Sequence, residues 1–176
     1  MMDFLEDLQW KRAISIAVVL GTMLAGFIST QVMSKEDAAM AYSGKLPVEQ
    51  VTVELQGGGV HGFSLEVVSK PVDIQMGLMF REKMGKDQGM LFQMGAPQLT
   101  SFWMKNTLIP LDMLFIAEDG TIINIHHNAE PHSLTPIPSN GEVTGVIELN
   151  GGRAKALNIK VGDRVLHPYF KQTVKK

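Results

Sequence analysis

Residues 111–126, LDMLFIAEDGTIINIH, decide how this chain folds. Leu111, Met113, Phe115 and Ala117 fall on one face of an extended segment, while Leu114 and Ile116 enrich the other, because successive strand side chains point to opposite sides. Asp119-Gly120 is a type I′ hairpin signal, after which Thr121 to His126 returns as a second strand. Apolar residues on both faces predict a central strand pair that is covered twice.

Immediately upstream, FWMKNTLIP at 102–110 concentrates unusual chemistry. Ser101 to Lys105 reads as a strand limited by Pro110, with Phe102 and Met104 on one face and Trp103 and Lys105 on the other. Gly89 to Phe92 begins a short strand ended by Gly95-Ala96-Pro97. Before it, Pro71 to Arg81 has helical spacing, with Pro in the first turn and Val72, Gln75, Met76 and Met79 on one face. Val51, Val53 and Leu55 alternate, Gln56 to Gly59 can turn, and Phe63, Leu65 and Val67 alternate again, so a β-hairpin is expected.

On the other side, residues 128–141, NAEPHSLTPIPSNG, hold three prolines and no period. A loop that long in a compact domain tends to serve function. Val143, Gly145, Ile147 and Leu149 form a further strand, Gly151-Gly152 introduces a short helix through Leu157, and Gly162-Asp163 turns into Arg164 to His167. The expected fold is mainly β: a compact antiparallel sandwich or distorted barrel with one or two short helices. Residues 48–168 form the domain, 35–47 a linker and 169–176 a basic tail.

The chain of 176 residues has a formal net charge of −2, but residues 42–176 hold thirteen basic and thirteen acidic groups. A neutral domain lacks the electrostatic footprint of nucleic-acid binding, which is set aside. With no cysteine, thiol catalysis, disulfides and zinc-thiolate sites are excluded. Lys11 and Arg12 precede an uncharged run of 22 residues, Ala13 to Ser34. That length fits a membrane anchor somewhat better than a signal-peptide core, although Ala39-Met40-Ala41 would serve as a cleavage site. Residues 1–34 are therefore expected to be an anchor or signal segment. Both readings place the domain in the periplasm or otherwise outside the cytoplasm, tethered to the membrane or released.

Five motifs occur in order: Gly77-Leu78-Met79-Phe80-Arg81, Gly89-Met90-Leu91-Phe92, Phe102 to Asp112, Glu148, and Ile159 to Val165. This set resembles the DUF192 family, also called UPF0127, over roughly Val48 to His167. The resemblance implies a small β domain, often behind an export signal or anchor, and brings no activity or cofactor with it. Two positions depart from the usual pattern: Ile137-Pro138-Ser139, where an aromatic residue is common, and Gly151, where alanine is common.

Read as chemistry, Trp103 offers a flat stacking surface, Lys105 and Asn106 a cation and an amide, and Asp112 and Glu148 acceptors. A non-catalytic module for a small ligand or an envelope partner is the leading expectation, with no cofactor. The alternative for Trp103 is core packing, with Lys105 a solvated edge residue. Asp112 and Glu148 sit in apolar strands, where an unpaired charge is costly. They are expected to accept backbone donors or pair Lys105 or Arg81; a two-carboxylate hydrolase is the catalytic alternative.

A soft-metal site is the third reading. Seven of the twelve methionines fall within residues 76–113, and thioethers favour Cu(I). Met79, Met90, Met104, His126 and His132 are the candidate copper ligands, against core packing for the methionines. His61 and His167 are expected at the surface. No phosphate loop, nucleophile elbow or dinucleotide fingerprint is present.

Overall fold

The structure is a computed structural model that describes residues 45–171. The anchor or signal segment, most of the linker and the end of the basic tail lie outside the described residues. Among the described residues no helix is long and apolar enough to cross a membrane.

Among the described residues, nine strands and two short helices follow one another as β1 (Val48–Glu54), β2 (Val60–Val68), α1 (Pro71–Met76), β3 (Gln88–Gln98), β4 (Ser101–Phe102), β5 (Leu111–Ile116), β6 (Ile122–Ala129), β7 (Ile137–Pro138), β8 (Val143–Asn150), α2 (Arg153–Ala156) and β9 (Arg164–Leu166). Seven form one sheet in the order β6-β5-β8-β3-β2-β1-β9, and β4 pairs only with β7. The mainly-β expectation with two short helices is met. The sheet curls as a half-barrel whose first and last strands meet at one end. There Thr121 bridges Arg164, the Ile122 amide donates to Asp163 O at 2.9 Å, and the Gly162 amide donates to Ile122 O at 2.8 Å.

One pair departs from the antiparallel expectation: β2 and β3 run parallel, Ser64 opposite Gln88 through Val68 opposite Phe92. A parallel pair needs a crossover rather than a hairpin, and residues 69–87, with α1, supply it. The helix expected to reach Arg81 stops at Met76, because Gly77 takes φ 49° and leaves the helical region.

The β5–β6 turn also differs in type. The Gly120 amide donates to Ala117 O at 3.0 Å, and Gly120 alone of the turn has positive φ, 88°. A type I′ turn needs positive φ at both central residues, so this is a type I turn closed by a glycine bulge. Asp119 fixes it by accepting from the Thr121 amide and hydroxyl, each at 2.9 Å.

The curl separates two apolar clusters by strand parity. Val51, Val53, Phe63, Leu65, Leu91, Leu114, Ile116, Ile147, Leu149 and Val165 fill the concave interior. Val68, Met90, Phe92, Met104, Leu111, Met113, Phe115 and Val146 form a second cluster on the outer face. Each fully buried side chain of this size contributes about 2–3 kcal/mol relative to exposure. Every residue of β5 is buried, as expected for a doubly covered strand. Its partner β6 is instead a sheet edge, with His126, His127 and Asn128 exposed. His167, expected at the surface, is buried, its Nε2 within 2.8 Å of a Glu49 carboxylate oxygen.

Candidate functional site

What covers the outer face is mostly loop, with the short β4–β7 pair as its one piece of sheet among the described residues. Residues 77–84, 99–110 and 131–141 lie on it and are tied to one another through the backbone. The Phe80 amide donates to Asn106 O at 2.8 Å, Met104 N to Ser133 O at 2.9 Å, His132 N to Thr107 O at 3.2 Å and Ser139 N to Thr100 O at 2.9 Å. The proline-rich stretch contributes β7, whose Ile137 and Pro138 pair with Phe102 and Ser101. Arg81 clamps the first segment to the sheet, its two terminal nitrogens on the two Glu66 oxygens at 2.7 and 2.8 Å. Phe80 and Asn106 both have positive φ, 62° and 55°. For an aromatic residue that is a costly conformation, held here by the bonds that join the two segments.

Between these segments and the sheet lies a pocket of about 180 Å³. One wall is the end of α1 and its continuation, Ile74 to Met79; the other is Thr100 to Trp103 with Lys105 and Thr107. The sheet supplies Phe92, Met94 and Glu148. The Phe92 and Phe102 rings meet edge-on at 5.0 Å. Gly77 belongs here for a second reason, since a Cβ on it would lie 3.3 Å from Phe92 Cζ. Trp103 is 45% exposed, and Lys105 Nζ lies 5.1 Å from the centre of its ring, a cation–π contact.

Glu148 is the unusual member. It is 4% exposed and stands opposite Met90 on β3 and Met113 on β5, both fully buried. No described residue hydrogen-bonds its carboxyl. Burial alone therefore pushes its pKa up to about 8. Near neutral pH the group is largely a protonated acid, with one O–H to donate and one carbonyl to accept.

Asp112 is the opposite case. Its carboxylate accepts from Asn128 N at 2.7 Å, Gly152 N at 2.9 Å and Ala154 N at 2.8 Å. These contacts hold the first turn of α2 and the end of β6 to β5. The register explains the difference: Met113 pairs with Glu148, whereas Asp112 pairs with Leu149. Paired residues share a face and neighbours in sequence do not, so the two carboxyls project from opposite sides of the sheet. The two-carboxylate arrangement of a hydrolase is not formed by Asp112 and Glu148.

Of the sequence candidates, the structure brings Trp103, Lys105, Glu148 and Met79 to one pocket. Asn106 is beside it as a turn residue, its amide nitrogen 3.8 Å from Met79 Sδ. Met90 and Met104 are fully buried in the outer cluster. His126 and His132 are exposed, outside the pocket lining. Among the described residues no three His, Asp or Glu side chains group as a metal site. Sequence reasoning missed Phe92, Phe102 and the Gly77-Leu78 wall as pocket residues. All three belong to the ordered motifs above, which gave no hint that they face one space.

The family model described as DUF192, an uncharacterised group, matches residues 51–167. Among functionally curated proteins none matches the chain. A solved structure from Sinorhizobium meliloti, described as a candidate transcription regulator, is 44% identical, with TM-score 0.69 over 70% of this chain and 95% of that one. A second, a protein of unknown function from Novosphingobium aromaticivorans, is 40% identical, with TM-score 0.68 over 72% of this chain and 89% of that one. Sequence, fold and the order of the motifs around the pocket therefore agree that this chain belongs to the DUF192 family.

Proposed function

We propose that the domain is a non-catalytic binding module that takes a small, largely apolar molecule into the pocket above Glu148. The observation that carries this reading is the buried carboxyl with no partner among the described residues. Burying an unsatisfied polar group costs about 1–3 kcal/mol, and a pocket beside it gives a ligand the means to satisfy it. Trp103 and Lys105 supply a stacking surface and a cation at the more exposed side. A cavity of about 150 Å³ accommodates a molecule the size of benzene, so 180 Å³ suits a single ring with a short substituent.

The setting we propose is the extracytoplasmic side of the membrane, with residues 1–34 as anchor or signal segment. A regulator description belongs to the Sinorhizobium protein; the equal basic and acidic counts in residues 42–176 favour a small ligand over DNA here. The copper reading has one observation in its favour, because Met76, Met79 and Met94 line the same pocket.

Native mass spectrometry of the full chain, purified from its own compartment and then denatured, tests both. An organic mass released on denaturation supports the module, and one copper ion that disappears in Met79→Leu would favour the soft-metal site. A protein that stays at its bare mass and binds nothing from a fragment library would overturn both.

A further inference from the structure

Resting on the ligand-pocket reading, we infer that the group recognised at Glu148 is a neutral amide, a carboxamide or lactam carried on a small apolar or aromatic ring. Three observations select it. The carboxyl lies among apolar partners, between Met90 and Met113 in register, and no described residue donates a hydrogen bond to it, so burial disfavours its charged form. A protonated carboxyl presents one donor and one acceptor in a single plane. An amide edge presents the complementary pair, so two parallel hydrogen bonds satisfy both groups without ionising either.

Lys105 argues against the competing choice. Among the described residues of the lining it is the other titratable side chain, since α1, the 77–79 wall and β3 contribute Gln75, methionines and apolar residues. Further along Glu148's row across the sheet, Glu66, already held by Arg81, lies beyond Met90, and the exposed His126 lies beyond Met113. A cationic amine would have to bring its charge in beside this ammonium and force Glu148 to ionise in apolar surroundings. An anion would meet a carboxyl that gives up its proton as pH rises. The neutral amide avoids both costs, and its ring can fill the space lined by Phe92, Phe102 and Trp103.

Isothermal titration of the full-length chain in lipid nanodiscs with benzamide, benzylamine and benzoate, from pH 6 to 9, tests this. Benzamide is expected to bind with affinity that is level below neutrality and falls about tenfold by pH 9, as the acid loses its proton. Glu148→Gln, which keeps a donor and an acceptor, is expected to bind within about threefold of wild type and to lose that pH dependence. Glu148→Leu should weaken benzamide by about 30-fold, the equivalent of two hydrogen bonds. Benzylamine binding that tightens with pH, with benzamide silent, would overturn the amide and make Glu148 a counter-ion, leaving the pocket reading intact. Failure of all three compounds at millimolar concentration would overturn the pocket reading itself. Should Glu148→Leu fail to fold, a pH dependence that persists in Glu148→Gln would refute the inference.

Discussion

Asp112 and Glu148 are both buried carboxyls on neighbouring central strands, one 0% and the other 4% exposed, yet the chain treats them in opposite ways. Asp112 receives three backbone N–H donors and ties β5 to the end of β6 and to α2. Glu148 receives none from any described residue, and its burial is a cost. A polar group that the fold needs is saturated by the fold. One that the fold leaves open beside a cavity is the feature on which the proposed binding site rests.

The largest effect expected from breaking this contrast is at Asp112. Asp112→Ala strands three buried or half-buried N–H groups and should destabilise the domain by about 4 kcal/mol, read as a lowered urea midpoint. Glu148→Gln should do the reverse. Its folded-state pKa, about 8, lies above the unfolded value of 4.5, so the native state holds more protons and stability falls as pH rises between those values. The substitution removes that loss. It should leave stability little changed near pH 4.5 and raise it by about 3 kcal/mol at pH 7, which denaturation across pH 4 to 9 would show.

Smaller effects sharpen the role of the pocket walls. Arg81→Ala releases the half-buried clamp on Glu66 and should cost about 1–2 kcal/mol, while loosening the wall enough to weaken ligand binding. Gly77→Ala puts a Cβ at 3.3 Å from Phe92 at a residue with φ 49°; about 1 kcal/mol of stability and most ligand affinity should be lost together. Trp103→Ala, at a position 45% exposed, should change stability by less than about 0.5 kcal/mol yet reduce affinity several-fold. Equal effects of Trp103→Ala and Met104→Ala on stability would contradict the assignment of Trp103 to a binding surface.

The interior strands were legible in the sequence because β-alternation is a local property: Val51 and Val53, Phe63 and Leu65, Ile147 and Leu149 all point where their parity says. Register is not local, and it separated Asp112 from Glu148. Each looked like the same buried carboxylate until Met113 was seen opposite Glu148. The parallel β2–β3 pair was hidden for a related reason, since a crossover is defined by where the chain returns. The pocket was half legible. Trp103 and Lys105 stand out in sequence as an aromatic and a cation, although the strand expected to carry them ends at Phe102, whereas Phe92, Phe102 and Leu78 carry no chemistry until three loops bring them together. The prolines mark residues 128–141 as a long loop, but the pairing of Ile137 and Pro138 with Phe102 and Ser101 depends on contacts between segments.

Glu148 is proposed to be an acid left open for a ligand. The most direct measurement is a pH titration of the Glu148 side-chain carboxyl by ¹³C NMR in full-length protein, assigned by its disappearance in Glu148→Gln, with and without benzamide. A midpoint near 8 that moves higher when benzamide is added is the predicted result. A midpoint near 4.5, or one near 8 that no added ligand shifts, would contradict it.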